Sequence, residues 1–290
     1  MHPILFEIPG IEFPIRSFGV MVVAGFLLGT WAFNRLVERH TDNPAEQAAG
    51  YASIPIWTLI GVLVGARAFY VVVEILRGGT VGQSYLDDPF KVFAYWEGGL
   101  VMYGGAAGGV IGGLLCSARH RIALWNALDL GLMSAFLGLT LGRIGCLMVG
   151  DDFGQIVPES VRSLPFPITV RVPEVLPEES LFGDANAGQI LYATQIWMSA
   201  NALLLYGFGL VALRLRRYPG QATLWMLLWY AIARGTIEAF RGDEVRGLWF
   251  DDSISTSQVI SIAVGIICLA LLAKNRGKRS PVPGRDKPGG

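Results

Sequence analysis

Long apolar stretches alternate with short polar stretches along most of the chain. A helix needs about 20 predominantly apolar residues to cross a bilayer. Seven stretches satisfy this requirement, at roughly residues 17–35, 51–75, 98–117, 122–149, 190–213, 221–240 and 255–273. The pattern therefore predicts an all-α polytopic membrane protein with seven transmembrane helices.

The composition supports the same class of protein. Hydrophobic residues make up 52% of the chain, charged residues make up 16%, and the mean hydropathy is +0.47. These values are unusual for a soluble domain. The N-terminal segment MHPILFEIPGIEFPIR has no basic region before its apolar residues and no small-residue cleavage site, both of which a signal peptide would have. We therefore expect the first span to remain in the protein.

The distribution of Lys and Arg predicts the orientation. If the C-terminal tail is cytoplasmic, the inside segments contain 13 of these residues and the outside segments contain seven, as the positive-inside rule requires. This places the N-terminus outside. One transmembrane domain at 1–273 is predicted, with a small irregular extracytoplasmic insertion at 150–189 that is rich in proline and contains short β-favouring runs. A disordered basic cytoplasmic tail is predicted at 274–290.

The third predicted span contains glycines on two neighbouring ridges. One ridge carries Gly104, Gly108 and Gly112, and the other carries Gly105, Gly109 and Gly113. Small residues at this spacing let helix backbones approach closely within a bilayer. The simplest interpretation of these glycines is helix packing.

Three cysteines all lie in apolar stretches, without a CxxC pair or other metal-ligand spacing. They predict neither a disulfide nor a zinc site, and small buried residues are the simplest interpretation. Cys146 differs from the other two because it follows Arg143 by one helical turn, and a nearby arginine favours the thiolate.

Charged residues inside the predicted spans need an explanation. Arg67, Arg143 and Arg234 fall within spans, where an arginine costs about 2.5–3.5 kcal/mol on insertion scales. Asp129 and Glu238 also lie within spans and are candidate ion-pair partners. Internal ion pairs therefore explain part of the pattern.

The segment YAIARGTIEAFRGD adds a more specific signal. Arg234, Glu238 and Arg241 are spaced i, i+4 and i+7, which places them on one helix face. Arg143 lies about two turns from the predicted outer end of its own helix and therefore at a similar depth. Guanidinium groups suit a phosphate because they donate paired, charge-assisted hydrogen bonds. A phosphate site and an internal salt-bridge network without a ligand both account for this pattern.

Several motifs resemble those of one enzyme family. They are IRSFGVMVVAGF, GVLVGARAFYVV, GGLVMYGGAAGG, GRIGCLMVGDDFG, ATQIW, YPGQATLWMLLWYAIARGTIEAFRGD and SQVISI. In order and spacing they resemble prolipoprotein diacylglyceryl transferases, which are bacterial membrane enzymes. The resemblance covers nearly the whole chain, and the glycine–arginine segment GRIGCLMVGDDFG is its most specific part.

The resemblance implies a reaction and a set of partners. The enzyme would transfer the diacylglyceryl group of phosphatidylglycerol to the lipobox cysteine of a preprolipoprotein signal peptide and release glycerol phosphate. It would lie in the bacterial plasma membrane with its active site toward the outer face. The lipid bilayer is a further partner, and no metal, organic cofactor or nucleic acid is predicted.

The resemblance also implies roles for particular residues. Arg143 and Arg234 would hold the lipid phosphate and act in catalysis, while Arg67, Glu238 and Arg241 would support the polar cavity. The remaining predicted substrate-binding residues are Gly104, Gly105, Gly142, Asp151 and Gly154.

Four positions depart from the family's common pattern. Phe18 replaces a tyrosine, Tyr103 a histidine, Cys146 an asparagine and Asp151 a glutamate. The histidines of this chain, His2, His40 and His120, lie where none reaches an outward-facing cavity. We therefore predict Tyr103 as a catalytic residue, because neighbouring arginines favour a phenolate. Asp151, Asp152 and Glu238 are alternative bases, and Tyr103 as a hydrogen-bonding partner of the phosphate is a further alternative.

Two hypotheses follow for the protein as a whole. The first is a divergent but active diacylglyceryl transferase. The second is a catalytically altered paralogue that binds phosphatidylglycerol or another anionic lipid without transferring it, as the substitutions near the site suggest. A small transporter is disfavoured because the sequence has no half-repeat symmetry.

Overall fold

The computed structural model describes residues 2–8, 13–42, 45–95, 98–243, 248–249 and 254–284. The chain divides into two compact units. The first contains Met1–His40 together with Leu128–Gly290, and the second contains Thr41–Ala127.

Helices of 18 residues or more dominate the described chain. They are α1 (Ser17–His40), α2 (Ala48–Arg77), α4 (Met102–Arg119), α5 (Leu124–Val149), α6 (Thr194–Leu215), α7 (Gln221–Glu238) and α8 (Thr256–Lys274), with a short helix α3 (Gly79–Asp87) between α2 and α4. Each long helix coincides with a predicted span. The prediction of an all-α polytopic membrane protein is confirmed.

The predicted number of seven spans is not confirmed. Five of the described helices are long and apolar enough to cross a membrane, namely α1, α2, α5, α6 and α8. The glycines of α4 contribute little hydropathy, and α7 contains Arg234 and Glu238. Length and composition alone therefore leave α4 and α7 below the requirement.

The second unit is built on close contact between α2 and α4. A Cβ atom added to Gly61 or Gly65 would overlap the backbone of α4, and one added to Gly104 or Gly108 would overlap the backbone of α2. These glycines of α2 and α4 therefore form a packing surface that lets the two helix backbones touch.

In the first unit, the N-terminus of α7 is attached to α5 by Asp129. The fully buried Asp129 carboxylate accepts hydrogen bonds from the backbone N–H of Gly220 and Thr223, at 2.8 and 2.7 Å, and forms a 2.6 Å ion pair with Arg216. Asp129 had been expected to pair with a spanning arginine. It pairs instead with Arg216, which lies at the end of α6, because capping α7 places the carboxylate there.

Three short antiparallel hairpins complete the described fold. They pair β1 (Ile4–Ile8) with β2 (Phe13–Arg16), β3 (Thr169–Arg171) with β4 (Ile190–Tyr192), and β5 (Leu248–Trp249) with β6 (Ile254–Ser255). The segment between α5 and α6 has a small core of its own, formed by Val172, Phe182 and Leu191. Strand β3 lies within one of the predicted β-favouring runs.

Helix boundaries differ from the predictions by a few residues. Helix α4 begins at Met102 and not at residue 98, because Gly98 and Gly99 have φ angles of 79° and 74°, in the left-handed region. Helix α6 begins at Thr194 because residues 190–192 form β4. Of the tail predicted to be disordered, residues 285–290 lie outside the described residues.

Candidate active site

The end of α5 turns the chain back toward its own last turns. The N–H groups of Gly150 and Asp151 both donate to the carbonyl of Cys146, at 2.9 Å, and Gly150 has a φ of 82°. This closes the helix in the manner of a glycine C-cap. Asp152 then also takes a positive φ of 54°, and the turn brings its carboxylate back to Arg143, one of the spanning arginines.

A short stretch of backbone pairing joins this loop to the segment after α7. Gln155 N–H donates to Phe240 O at 2.8 Å, and Gly242 N–H donates to Phe153 O at 3.0 Å. Gly154 forms an antiparallel bridge with Arg241, and a Cβ atom there would overlap the backbone of Tyr192. Glycine at position 154 is therefore required by close packing.

Asp152 links two arginines from different parts of the chain. Its Oδ2 pairs with Nη1 of Arg143 on α5, and its Oδ1 lies 2.5 Å from Nη2 of Arg241, three residues beyond the end of α7. Both carboxylate oxygens of Asp152 are therefore occupied by guanidinium groups.

Two further carboxylates extend this arrangement. Glu238 Oε2 pairs with Arg234 Nη1 and lies 3.6 Å from Arg241 Nη1. Asp243 forms a two-point contact with Arg241, in which Nε donates to Oδ1 at 2.8 Å and Nη2 pairs with Oδ2. We call these six residues the arginine–carboxylate cluster: Arg143, Asp152, Arg234, Glu238, Arg241 and Asp243.

Helix α8 holds one end of the cluster. Ser257 Oγ accepts a hydrogen bond from Arg234 Nη2 at 3.1 Å. Two residues earlier, Ser255 forms a capping box with Gln258 at the start of α8. Ser255 Oγ accepts a 3.2 Å hydrogen bond from the N–H of Gln258, and Gln258 Oε1 accepts a 2.9 Å hydrogen bond from the N–H of Ser255. The rigid first turn of α8 thus fixes the position of the Arg234 side chain.

The cluster balances three positive charges with three negative charges, but it leaves two hydrogen-bonding atoms unused. Arg143, Arg234 and Glu238 are only 6%, 5% and 1% exposed. Within the described residues, Arg143 Nε has no acceptor and Glu238 Oε1 has no donor. A buried polar atom without a partner costs about 1–3 kcal/mol. The cluster therefore has one donor and one acceptor available for a ligand.

The pKa values of the two neighbouring aspartates are shifted in opposite directions, for different reasons. Burial alone would raise the pKa of Asp152, but Arg143, Arg241 and Arg234 together hold it below its ordinary value. The pKa of Asp151 is raised, by burial and then by the charge of Asp152. Asp152 is therefore held as an anion, while Asp151 binds a proton more readily.

Asp151 is held mainly through backbone atoms. Its Oδ1 accepts a 2.9 Å hydrogen bond from the N–H of Asp152. At the start of α6, Gln195 Nε2 donates to the Asp151 carbonyl and Thr194 Oγ1 donates to the Asp152 carbonyl, both at 2.9 Å. Asp151 is one of the residues that line a cavity of about 420 Å³, together with Arg16, Phe18, Val149 and residues 179–181.

Cys146, Asp151 and Asp152 bring three possible metal-ligand atoms within 4.8 Å of one another. Cys146 Sγ lies 3.9 Å from Asp152 Oδ2. That same oxygen is already paired with Arg143, so a metal cation would have to compete with a buried guanidinium. The donor set therefore fits a metal poorly.

The other predicted site residues have different surroundings. Gly142 is in α5, and a Cβ atom there would meet nothing within 4 Å. Tyr103, Gly104 and Gly105 begin α4 in the second unit, where Tyr103 is 38% exposed. The substrate-binding and catalytic roles of these residues remain predictions.

Arg67 also belongs to the second unit. It is 1% exposed, and its guanidinium donates to the backbone carbonyls of Val92, Gly98 and Lys91 at 2.9, 2.6 and 2.8 Å. The rings of Tyr70, Tyr85 and Tyr95 surround it at 5.5–5.8 Å. Its hydrogen bonds therefore organise the loop before α4.

Two residues of the site were missed by sequence reasoning. Asp243 directly follows the stripe that ends at Arg241, so its position two residues from an arginine was an available signal. Ser257 gave no such signal, because its contact with Arg234 joins residues 23 positions apart.

Comparisons with known proteins identify related sequences. Residues 3–274 match the protein-family model described as prolipoprotein diacylglyceryl transferase. A protein of Wolbachia sp. subsp. Drosophila simulans, named phosphatidylglycerol–prolipoprotein diacylglyceryl transferase, is 29% identical over 279 residues, covering 92% of each chain. Proteins with the same name are 28% identical in Enterococcus faecalis, covering 95% of this chain and 91% of the relative, and 24% identical in Bacillus velezensis, covering 96% and 93%.

Proposed function

The chain belongs to the prolipoprotein diacylglyceryl transferase family, a family of membrane enzymes, and we propose that it transfers diacylglyceryl groups from phosphatidylglycerol. The acceptor is the lipobox cysteine of a preprolipoprotein signal peptide, and the second product is glycerol phosphate. The observation that carries this proposal is the buried arginine–carboxylate cluster, in which Arg143 Nε has no acceptor among the described residues.

A phosphate diester fits the unused donor of Arg143. The planar guanidinium donates two parallel hydrogen bonds to a phosphate, and such charge-assisted bonds are stronger than neutral ones. Arg143 uses Nη1 on Asp152, which leaves Nε to donate to a phosphate oxygen. Arg241 and Arg234 lie further along the same chain of ion pairs and supply the additional positive charge.

The carboxylates of the cluster hold the arginines in place before lipid binds. Asp152 is the member shared by Arg143 and Arg241, and it is also the more exposed partner, with 23% of its side chain accessible. We propose that the lipid phosphate takes over part of the Asp152 contacts. The site then exchanges one anion for another, so the three arginines of the cluster are never left without a negative charge.

Glu238 Oε1 provides the matching acceptor for the headgroup. Because this atom is buried without a donor in the described residues, it suits a hydroxyl of the glycerol headgroup. A ligand that carries both a phosphate and a hydroxyl satisfies the unused donor and the unused acceptor together. Phosphatidylglycerol has both groups.

The reaction proposed is a displacement at carbon. The sulfur of the acceptor cysteine forms a bond to the terminal glyceryl carbon of the diacylglyceryl group, and the bond from that carbon to the phosphate oxygen breaks. The electron pair leaves with glycerol phosphate, and the negative charge on the phosphate group increases from one to two. The arginines stabilise this developing charge, which is the usual basis of electrostatic catalysis.

A second function is supported by the equal numbers of positive and negative charges in the cluster. Three arginines paired with three carboxylates also form a structural network without net charge, and Tyr103 stands where the family commonly has histidine. A protein of this kind would bind an anionic lipid without transferring it. Lipid transfer to a peptide separates the two proposals directly.

The experiment uses the purified full-length protein in vesicles of phosphatidylglycerol and phosphatidylcholine, with a lipobox peptide as acceptor. Mass spectrometry of the peptide should show the diacylglyceryl adduct, and Arg143→Ala should lower the rate at least about 10²-fold, as loss of a transition-state donor does. Arg162→Ala, at an exposed arginine of the 150–189 insertion, is the matched control. A wild-type protein that binds the vesicles but forms no adduct would support the lipid-binding alternative.

A further inference from the structure

We infer that the cavity beside Asp151 receives the cysteine of the acceptor peptide, and that Asp151 is the base that removes the thiol proton. This inference rests on the proposed function and assigns the step that the arginines cannot perform. The thiolate is the nucleophile, and a free cysteine is mostly protonated at neutral pH.

The cavity has the size and lining for a short peptide segment. Its volume of about 420 Å³ lies in the lower part of the range for ligand sites, about 300–1,000 Å³, and is too small for a lipid with two acyl chains. Phe18, Val149 and Leu181 form apolar walls, and Arg16 and Glu179 form an exposed ion pair at 2.8 Å. Apolar walls beside a carboxylate that has no counter-ion in the described part of the chain, Asp151, suit a small neutral thiol.

Asp151 is the carboxylate of this region that is free to accept a proton. Asp152 is paired with two arginines, and Glu238 is buried between Arg234 and Arg241. The Asp151 carboxylate makes no ion pair with any Lys, Arg or His in the described ranges, and the only hydrogen bond it accepts there comes from the Asp152 backbone. A carboxylate held by guanidinium groups is a weak base, whereas Asp151 is not held in this way.

The chain itself brings the base close to the proposed phosphate. Asp151 and Asp152 are consecutive residues, and Asp152 contacts Arg143 and Arg241 directly. A thiol in the cavity therefore lies beside the arginine–carboxylate cluster. Asp151 then acts on the nucleophile, and the neighbouring Asp152 contacts the arginines that bind the leaving phosphate.

The proposed step is balanced without any further reagent. The thiol proton moves to the Asp151 carboxylate as the sulfur–carbon bond forms and the carbon–oxygen bond to the phosphate breaks. Glycerol phosphate leaves with the electron pair, and the proton on Asp151 passes to water or to the departing product. No oxidant or reductant is needed.

Titratable and charged groups on several elements face Asp151. They are Cys146, Asp152, Arg241 and Asp243 around it, with Arg16 and Glu179 across the cavity. Burial and the nearby Asp152 raise the pKa of Asp151, while Arg241 lowers it by a smaller amount. A base with a raised pKa is better matched to proton transfer near neutral pH.

The first test compares Asp151→Asn with Asp151→Glu and with Glu159→Gln, an exposed carboxylate of the 150–189 insertion. We expect Asp151→Asn to lower kcat by about 10²–10⁴-fold. The increase in Tm that phosphatidylglycerol gives the protein should be the same in this variant as in the wild type. Asp151→Glu should restore much of kcat, and Glu159→Gln should match the wild type.

The pH profile distinguishes a base from a structural residue. Without its base the enzyme depends on free thiolate, so the rate of Asp151→Asn should rise about tenfold per pH unit below the thiol pKa of about 8.5. The wild type and Asp151→Glu should be nearly flat over the same range. If Tyr103→Phe shows this slope and Asp151→Asn does not, Tyr103 is the base and our assignment is wrong.

A second pair of variants tests the cavity without touching the base. Leu181→Trp should narrow the cavity and raise the KM for the lipobox peptide at least about tenfold, with the KM for phosphatidylglycerol unchanged. Val175→Trp, at an 86% exposed position of the same insertion, is the matched control. Equal peptide KM values for the two variants would exclude the cavity as the acceptor site.

The outcomes separate this inference from the proposed function. A wild-type protein that transfers no lipid contradicts the proposed function, and the role of Asp151 is then lost with it. A wild-type protein that transfers lipid while Asp151→Asn keeps its kcat and a flat pH profile contradicts only the role of Asp151.

Discussion

Arg143 and Asp152 form a largely buried ion pair between α5 and the loop that immediately follows it. Their side chains are 7% and 23% exposed, and Asp152 extends the contact to Arg241 at 2.5 Å. The pair therefore connects a spanning helix to the segment beyond α7. Its properties determine how the site responds to mutation and to pH.

Removing the charge of Asp152 should destabilise the free protein and strengthen lipid binding. In Asp152→Asn, Arg143 and Arg241 lose a shared anion, and breaking a buried pair costs up to about 3–5 kcal/mol. A lipid phosphate would replace that anion. We expect a lower Tm in neutral detergent, recovery of Tm with phosphatidylglycerol, and a lower KM for the lipid. A variant with wild-type Tm and KM would show that Asp152 does not compete with the phosphate.

The same residue predicts how stability depends on pH. Because the pKa of Asp152 is lowered in the folded protein, its contribution is complete above the ordinary aspartate value of about 3.9 and is lost as the pH falls through the lower folded value. The Tm difference between wild type and Asp152→Asn should therefore stay constant from about pH 7 to 5. It should shrink only below about pH 4. A difference that already declines near pH 6 would contradict the lowered pKa.

Two glycines of the family motif should respond oppositely to alanine. Gly154→Ala places a Cβ atom against the backbone of Tyr192, so we expect the pairing with Arg241 to weaken and transfer to fall at least about tenfold. Gly142 lies within α5 with open space around its Cβ position. Gly142→Ala should keep Tm or raise it, because alanine favours a helix by about 1 kcal/mol. Thermal unfolding and transfer rates measured together check both expectations.

Loss of the Asp129 carboxylate should detach α7 from α5. Asp129 and Arg216 are at most 1% exposed, so Asp129→Asn removes a buried negative charge that pairs with Arg216 and caps α7, and it should cost about 3–5 kcal/mol. Glu38→Gln, which removes an exposed ion pair with Arg35, should change stability by less than about 1 kcal/mol. Similar Tm values for the two variants would mean that Asp129 does not anchor the helix.

Sequence periodicity was sufficient to predict the long helices. Each long helix coincides with an apolar stretch of the predicted length. Helical spacing placed Arg234 one turn from Glu238, and the structure has an ion pair between these two residues. These predictions succeeded because they depend on local geometry. Hydropathy also indicated a membrane protein, although it did not resolve the status of α4 and α7.

Predictions failed where the partner lies far along the chain or follows an irregular turn. The pairing of Asp129 with Arg216 joins residues 87 positions apart. The role of Asp152 depends on its positive φ and on the backbone pairing between residues 153–155 and 240–242. The hydrogen bonds of Arg67 to backbone carbonyls have no sequence signature, because every residue has a carbonyl. Side-chain type and spacing alone do not contain this information.

The spacing of the ion pairs has a consequence for how the protein is made. Arg143 finds Asp152 nine residues later, and Arg234 finds Glu238 four residues later. Each arginine is therefore followed by its own counter-ion within nine residues, so the two charges of a pair are synthesised in close succession. The translocon can receive a neutral pair in place of an isolated cation, which lowers the insertion cost of about 2.5–3.5 kcal/mol per arginine. Each of these two helices can neutralise its arginine before the remaining partners of the cluster have been synthesised.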